Sequence, residues 1–151
     1  MTTNALLARQ NSVLRWPLAA AATTAAGAHI PVIGPHLREA PYMGVLFILL
    51  TAACLAFAAA ALVHDTPLLY AASAATCTLA IVGYAATRIV AFPQLSDDVG
   101  NWLEPLGIVS ITAETILITL ALTALHHHHR ARHNPPARSD KRRQLASNGL
   151  T

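Results

Sequence analysis

The chain has 151 residues, of which 54% are hydrophobic and 11% are charged. Soluble domains typically carry about 25% charged residues, so water is not the main solvent of this chain. The formal net charge is +3, but six of the ten basic residues follow residue 125. That distribution indicates a membrane-proximal anchor, and we expect no nucleic-acid partner.

Four apolar segments approach or exceed the roughly 20 residues needed to cross about 30 Å of hydrocarbon. They cover residues 16–33, 42–63, 67–92 and 106–125. The first is the weakest, because it is rich in alanine and contains His29 and Pro31 near its end. An alternative interpretation is that residues 1–28 form a cleaved secretory signal, since arginines precede the apolar stretch and Ala-Gly-Ala at 26–28 has the form of a cleavage site.

Basic residues predict the orientation of these segments. Lysine and arginine are concentrated in residues 1–15 and 126–151, whereas the connection at 93–105 is acidic. The positive-inside rule therefore places both termini in the cytoplasm. We expect an all-α, membrane-embedded, four-helix up-down-up-down bundle in the bacterial plasma membrane. Residues 1–15 would be a cytoplasmic leader, and residues 126–151 a disordered His/Arg-rich tail that adheres to anionic lipid.

Ionisable side chains inside two of the segments need a partner or a purpose, because each costs about 2.5 to 3.5 kcal/mol at the bilayer centre. Arg88 lies four residues from the end of the third segment and Glu114 eight residues into the fourth. If those two ends are level, the side chains differ in depth by roughly 6 Å, which an arginine can bridge. The sequence predicts an intramembrane Arg88–Glu114 ion pair.

A second polar group lies between the first and second segments. Two prolines and two glycines interrupt residues 27–39, so we expect this stretch to leave the helix as an irregular or re-entrant loop. It carries His29, His36 and Glu39, whose donor atoms suit Zn²⁺, Cu²⁺ or a haem iron. An inert polar network and a proton or substrate pathway are the alternatives.

Two further patterns have more than one interpretation. Cys54 and Cys77 lie at similar depths in consecutive segments and are expected to face one another, as packed small residues or as a soft copper(I) site. The four histidines at 126–129 mark the headgroup level or bind a metal on the cytoplasmic side.

A family resemblance follows from two stretches. Residues 27–47, with His29, His36 and Glu39 ahead of PYMGVLF, resemble small four-helix integral membrane proteins of high-GC actinobacterial type that carry no assigned activity. The WLEPLG stretch at 102–107, followed by Glu114, resembles the last helix of the same group. The likeness covers roughly residues 20–125, and it implies an architecture without implying a reaction.

Three functions remain open at this point. The first is an accessory or structural subunit without enzymatic activity, packed in a larger membrane complex or a homo-oligomer. The second is a metal- or haem-binding protein that uses His29, His36 and Glu39. The third is a small proton- or ion-coupled transporter that uses Arg88 and Glu114.

Overall fold

The computed structural model describes residues 3–133, and side chains from residue 13 onward. The described part contains four α-helices, α1 (Thr3–Glu39), α2 (Pro41–Val63), α3 (Pro67–Ile89) and α4 (Pro105–His133), with one 3₁₀ turn at Ser96–Asp98. Three of them, α2, α3 and α4, are long and apolar enough to span a membrane. The predicted all-α class is therefore confirmed. Helix α1 falls outside this group of three because proline, histidine and threonine interrupt its apolar stretch.

Helix α1 continues without a break through residues 27–39, so the predicted irregular loop is wrong. Pro31 and Pro35 each remove one backbone donor, which leaves the carbonyls of Gly27 and Pro31 without their usual partners. All three residues are exposed. The helix can therefore carry both prolines on its outward face without disturbing the packed face.

The other predicted boundaries also shift. Helix α1 already includes most of the expected leader, since it begins at Thr3, and α3 ends at Ile89 before the predicted residue 92. Helix α4 extends through the four histidines to His133, so residues 126–133 are helical where a disordered tail was expected. The rest of that tail, residues 134–151, lies outside the described residues.

The helices do not pack evenly. Helix α1 packs along both α2 and α4, and α3 packs on α4, whereas α2 and α3 touch only lightly. The bundle therefore has a gap between α2 and α3. We call the end that holds residues 64–66 the short-turn end, and the end that holds residues 90–104 the long-loop end.

Contacts at both ends fix α1 against α2. At the short-turn end, the Arg15 guanidinium donates to the Ala61 carbonyl at 2.6 Å and to the Leu62 carbonyl, which are free because α2 is ending there. At the long-loop end, Gly44 lies so close to Leu37 that a β-carbon would come within 2.6 Å of the leucine Cγ. A glycine is what allows the two helices to approach there.

Small residues fill the short-turn half of the bundle, by which we mean the half next to residues 64–66; the other half is the long-loop half. Its core contains Leu18, Ala22, Ala61, Tyr70, Leu117, Ala121 and Ala124, all with no measurable exposure. The Tyr70 hydroxyl donates to Asp65 at 2.9 Å, and the ring of His128 lies 2.8 Å from the same carboxylate oxygen. Alanine and leucine side chains therefore fill this half of the bundle, and the polar contacts of Asp65 lie at its end.

Candidate functional site

A cavity of about 560 Å³ lies between α2 and α3 in the long-loop half. Its apolar walls include Leu46, Phe47 and Leu50 of α2, and Leu79, Ala80 and Gly83 of α3. Leu46 and Leu79 are 54% and 71% exposed, so the cavity reaches the surface of the bundle through the α2–α3 gap. A mostly apolar pocket with a few placed polar groups is the usual form of a small-molecule site.

The cavity has a buried polar cluster on α1 and α4. His29 Nε2 lies 3.2 Å from Glu114 Oε1 and 3.3 Å from Ser110 Oγ, and the Ser110 hydroxyl donates to the same glutamate oxygen at 3.2 Å. The side chains of His29 and Glu114 are only 7% and 2% exposed. The three groups satisfy one another's hydrogen-bonding needs, which removes most of the cost of burying them among apolar helices.

The same three residue types also form the relay of serine hydrolases, but the geometry here differs. In such a relay the serine and the acid contact opposite nitrogens of the imidazole. Here Ser110 and Glu114 both approach Nε2 of His29. These contacts are therefore not those of such a relay.

Arg88 forms the other polar group of the cavity, near the long-loop end. One of its terminal nitrogens lies 2.7 Å from Asp98 Oδ1, and its guanidinium carbon lies 4.4 Å from the centroid of the Tyr84 ring. The arginine side chain is only 6% exposed. Among the described side chains, Arg88 Nε is the one buried nitrogen or oxygen without a hydrogen-bond partner. Such an atom needs an explanation, because native proteins rarely leave one unpaired.

The structure gives Arg88 and Glu114 other partners than each other. Gly107 lies against the ring of Tyr84, so these two residues are level. Arg88 is four residues beyond Tyr84, and Glu114 is seven residues from Gly107 in the opposite direction. Their backbones are therefore about 16 Å apart along the bundle, where the sequence estimate gave about 6 Å. The 3₁₀ turn instead brings Asp98 to the arginine.

The predicted metal ligands are only partly brought together. His29 and His36 both line the cavity, and the ring of Phe47 lies 5.6 Å and 4.9 Å from theirs. His36 Nδ1 also lies 2.8 Å from the Val32 carbonyl, while Glu39 is exposed at the end of α1. Within residues 3–133, no three His, Cys, Asp or Glu side chains are grouped to hold a metal ion.

Cys54 and Cys77 are both free and fully buried, just beyond the apolar walls of the cavity. The two cysteines are close neighbours. They join α2 to α3 at the point where the gap closes.

Several residues of the site had no motif to reveal them. Ser110 could have been found, because it lies four residues before Glu114 and therefore on the same helix face. Tyr84 could have been found in the same way, because it lies four residues before Arg88 on α3. Asp98 could not, since its contact with Arg88 depends on how the 90–104 connection folds back. Comparison with protein families, curated proteins and solved structures finds no match to this chain.

Proposed function

We propose that this chain is a four-pass protein of the bacterial plasma membrane that binds one small lipophilic molecule in the α2–α3 cavity. The three long apolar helices support the membrane location. For α1, the contacts of Arg15 and Leu37 at opposite ends of α2 support a crossing of similar length. Neighbouring helices then alternate in direction, with both termini in the cytoplasm. The excess of arginine at the short-turn end supports that orientation.

Labelling of single cysteines tests this topology. In a background with Cys54 and Cys77 replaced by alanine, Asn101→Cys in the long-loop connection should react with a membrane-impermeant maleimide added to intact cells. His64→Cys in the short turn should react only after the cells are opened. Both positions are exposed, so access to the side chain is matched. The opposite pattern, or equal labelling of both, would contradict the proposed orientation.

The cavity itself carries the binding proposal. Apolar side chains dominate its walls, it reaches the surface between two helices that would face lipid, and it contains a buried arginine with an unpaired nitrogen. A lipophilic molecule could enter sideways from the bilayer without crossing water. Burying its apolar surface against protein of matching shape supplies packing, and the polar groups fix its orientation.

The geometry favours binding over the coupled transport considered from the sequence. The cavity occupies the long-loop half, and the other half is filled by closely packed alanine, leucine and Tyr70. A carrier needs a second arrangement in which the site opens to the opposite side. The His29–Glu114 pair is therefore interpreted as part of a binding site. The accessory-subunit interpretation and the actinobacterial likeness stay predictions.

Filling the cavity tests the binding proposal. A β-carbon at Gly83 would meet nothing within 4 Å, and this residue lines the cavity, so Gly83→Leu should occupy it without strain. Gly27→Leu is the matched control, because Gly27 has the same open surroundings but does not line the cavity. A diazirine-bearing alkane should label the wild-type protein saturably at the cavity walls. That labelling should fall at least fivefold in Gly83→Leu and persist in the control.

Labelling that never saturates, and that spreads evenly over exposed residues such as Val45 and Leu55, would show that the probe reports lipid contact alone. The binding proposal would then fail.

A further inference from the structure

We infer that His129 and His133, at the end of α4, form a two-histidine site for a divalent transition-metal ion of the Zn²⁺, Ni²⁺ and Cu²⁺ class. This site lies outside the cavity, and the inference does not depend on the binding function proposed above. It follows from the spacing of the two residues, from the contact between their rings and from their exposure.

The spacing of the histidines singles out one pair. A helix places residues four apart on the same face, and two histidines at this separation on a helix are the arrangement with which zinc metalloproteases bind their metal. The residue four positions later is an arginine for His126 and His128, and an alanine for His127. Only His129 has a histidine four positions after it.

The rings of His129 and His133 already meet. Their centroids lie 4.3 Å apart, with the ring planes inclined by 53°. Two imidazoles that each bind one metal ion through a nitrogen at about 2.0 to 2.1 Å have their centroids roughly 4.5 to 5 Å apart. A small rotation of either side chain therefore allows one nitrogen of each ring to bind the same ion, and the helix backbone need not move.

Both side chains are open to an ion from water. His129 and His133 are exposed, whereas His128 on the same turn already contacts Asp65 at 2.8 Å. Imidazole nitrogen suits Zn²⁺, Ni²⁺ and Cu²⁺ but not Mg²⁺ or Ca²⁺, which prefer oxygen. Within residues 3–133 no third His, Cys, Asp or Glu joins the pair, so water molecules supply the remaining ligands.

Arg130 and Arg132 are the nearby charges that oppose a cation. One lies about 100° around the helix from His129, and the other about 100° from His133, so neither occupies the face of the pair. Both are exposed, and water and salt screen exposed charges. The unpaired carbonyls at the end of a helix carry partial negative charge, which favours a cation there.

Metal titration tests the inference on the full-length protein in dodecyl maltoside, purified through an affinity tag that contains no histidine and freed of metal with a chelator. Isothermal titration calorimetry should show one Zn²⁺ ion per chain and no binding of Mg²⁺. Cu²⁺ should bind more tightly than Zn²⁺, as it does at nitrogen sites generally.

Single alanine variants identify the ligands. His129→Ala and His133→Ala should each weaken Zn²⁺ binding at least tenfold, because one imidazole alone lacks the second bond. His127→Ala is the matched control, since it removes a histidine of the same run that has no partner four residues later, and it should change the affinity less than twofold. Circular dichroism checks that each variant keeps its helices.

Electron paramagnetic resonance of the bound Cu²⁺ counts the ligands directly. Coupling to two imidazole nitrogens is expected in the wild-type protein and to one in His133→Ala. Coupling to a single imidazole in the wild-type protein would overturn the inference. So would equal Zn²⁺ affinities of His133→Ala and His127→Ala, or Zn²⁺ binding no tighter than that of Mg²⁺. Gly83→Leu, which fills the cavity, should bind Zn²⁺ as the wild-type protein does.

Discussion

Replacing His29 by leucine is expected to lower the free energy of unfolding by about 3 kcal/mol, because it leaves Glu114 buried without its main partner. The glutamate side chain is 2% exposed, and after the change it would keep only the Ser110 hydroxyl, which donates at 3.2 Å. Titration with a denaturing detergent, followed by circular dichroism, gives the unfolding free energy. Ile30→Leu, at the exposed neighbouring position, is the matched control and should change it by less than about 0.5 kcal/mol.

The double variant His29→Leu/Glu114→Leu should recover most of that loss and unfold within about 1 kcal/mol of the wild-type protein. Replacing both partners of a buried pair by apolar residues removes the cost of burying either one. The coupling between the two substitutions therefore measures the pair itself. If the double variant were as unstable as the sum of the single variants, the two side chains would not be interacting, and the arrangement of the cluster would be wrong.

Gly44→Ala is expected to destabilise the protein by about 1 to 3 kcal/mol through overpacking. Its β-carbon would come within 2.7 Å of the backbone nitrogen of Leu37, and a backbone atom cannot move aside as a side chain can. The α1–α2 contact would therefore have to open. The same denaturation experiment measures the effect.

Gly27→Ala provides the matched control for that prediction. It lies on α1, and a β-carbon there meets nothing within 4 Å. Replacing glycine by alanine inside a helix without a clash should stabilise the protein by about 0.5 to 1 kcal/mol. Opposite signs for the two substitutions are the expected result. Equal small effects would show that α1 and α2 are not in contact at Gly44.

The sequence predicts the helices well, because the hydropathy and the length of a segment can be judged from that segment alone. Helices α2 and α4 begin within one residue of the predicted starts, and α3 begins at the predicted residue 67. The continuity of α1 through Pro31 and Pro35 was missed. Proline usually ends a helix in water, but whether its missing donor matters depends on which face it occupies, and that face is known only once the neighbours are placed.

The pairing of charges was predicted less well, for a related reason. The sequence shows that Arg88 and Glu114 each need a partner, yet the choice of partner depends on how α3 and α4 slide against each other. The contact between Tyr84 and Gly107 sets the register of α3 against α4. No sequence pattern in either segment predicts that contact. The 3₁₀ turn at Ser96–Asp98 then supplies a nearer carboxylate for Arg88.

Native mass spectrometry of the protein released from bilayer nanodiscs is the most direct test of a lipophile-binding cavity. One adduct of defined mass per chain is expected in the wild-type protein, absent from Gly83→Leu and retained in Gly27→Leu. The bare mass alone, or a broad series of bilayer lipids that both variants retain equally, would contradict it.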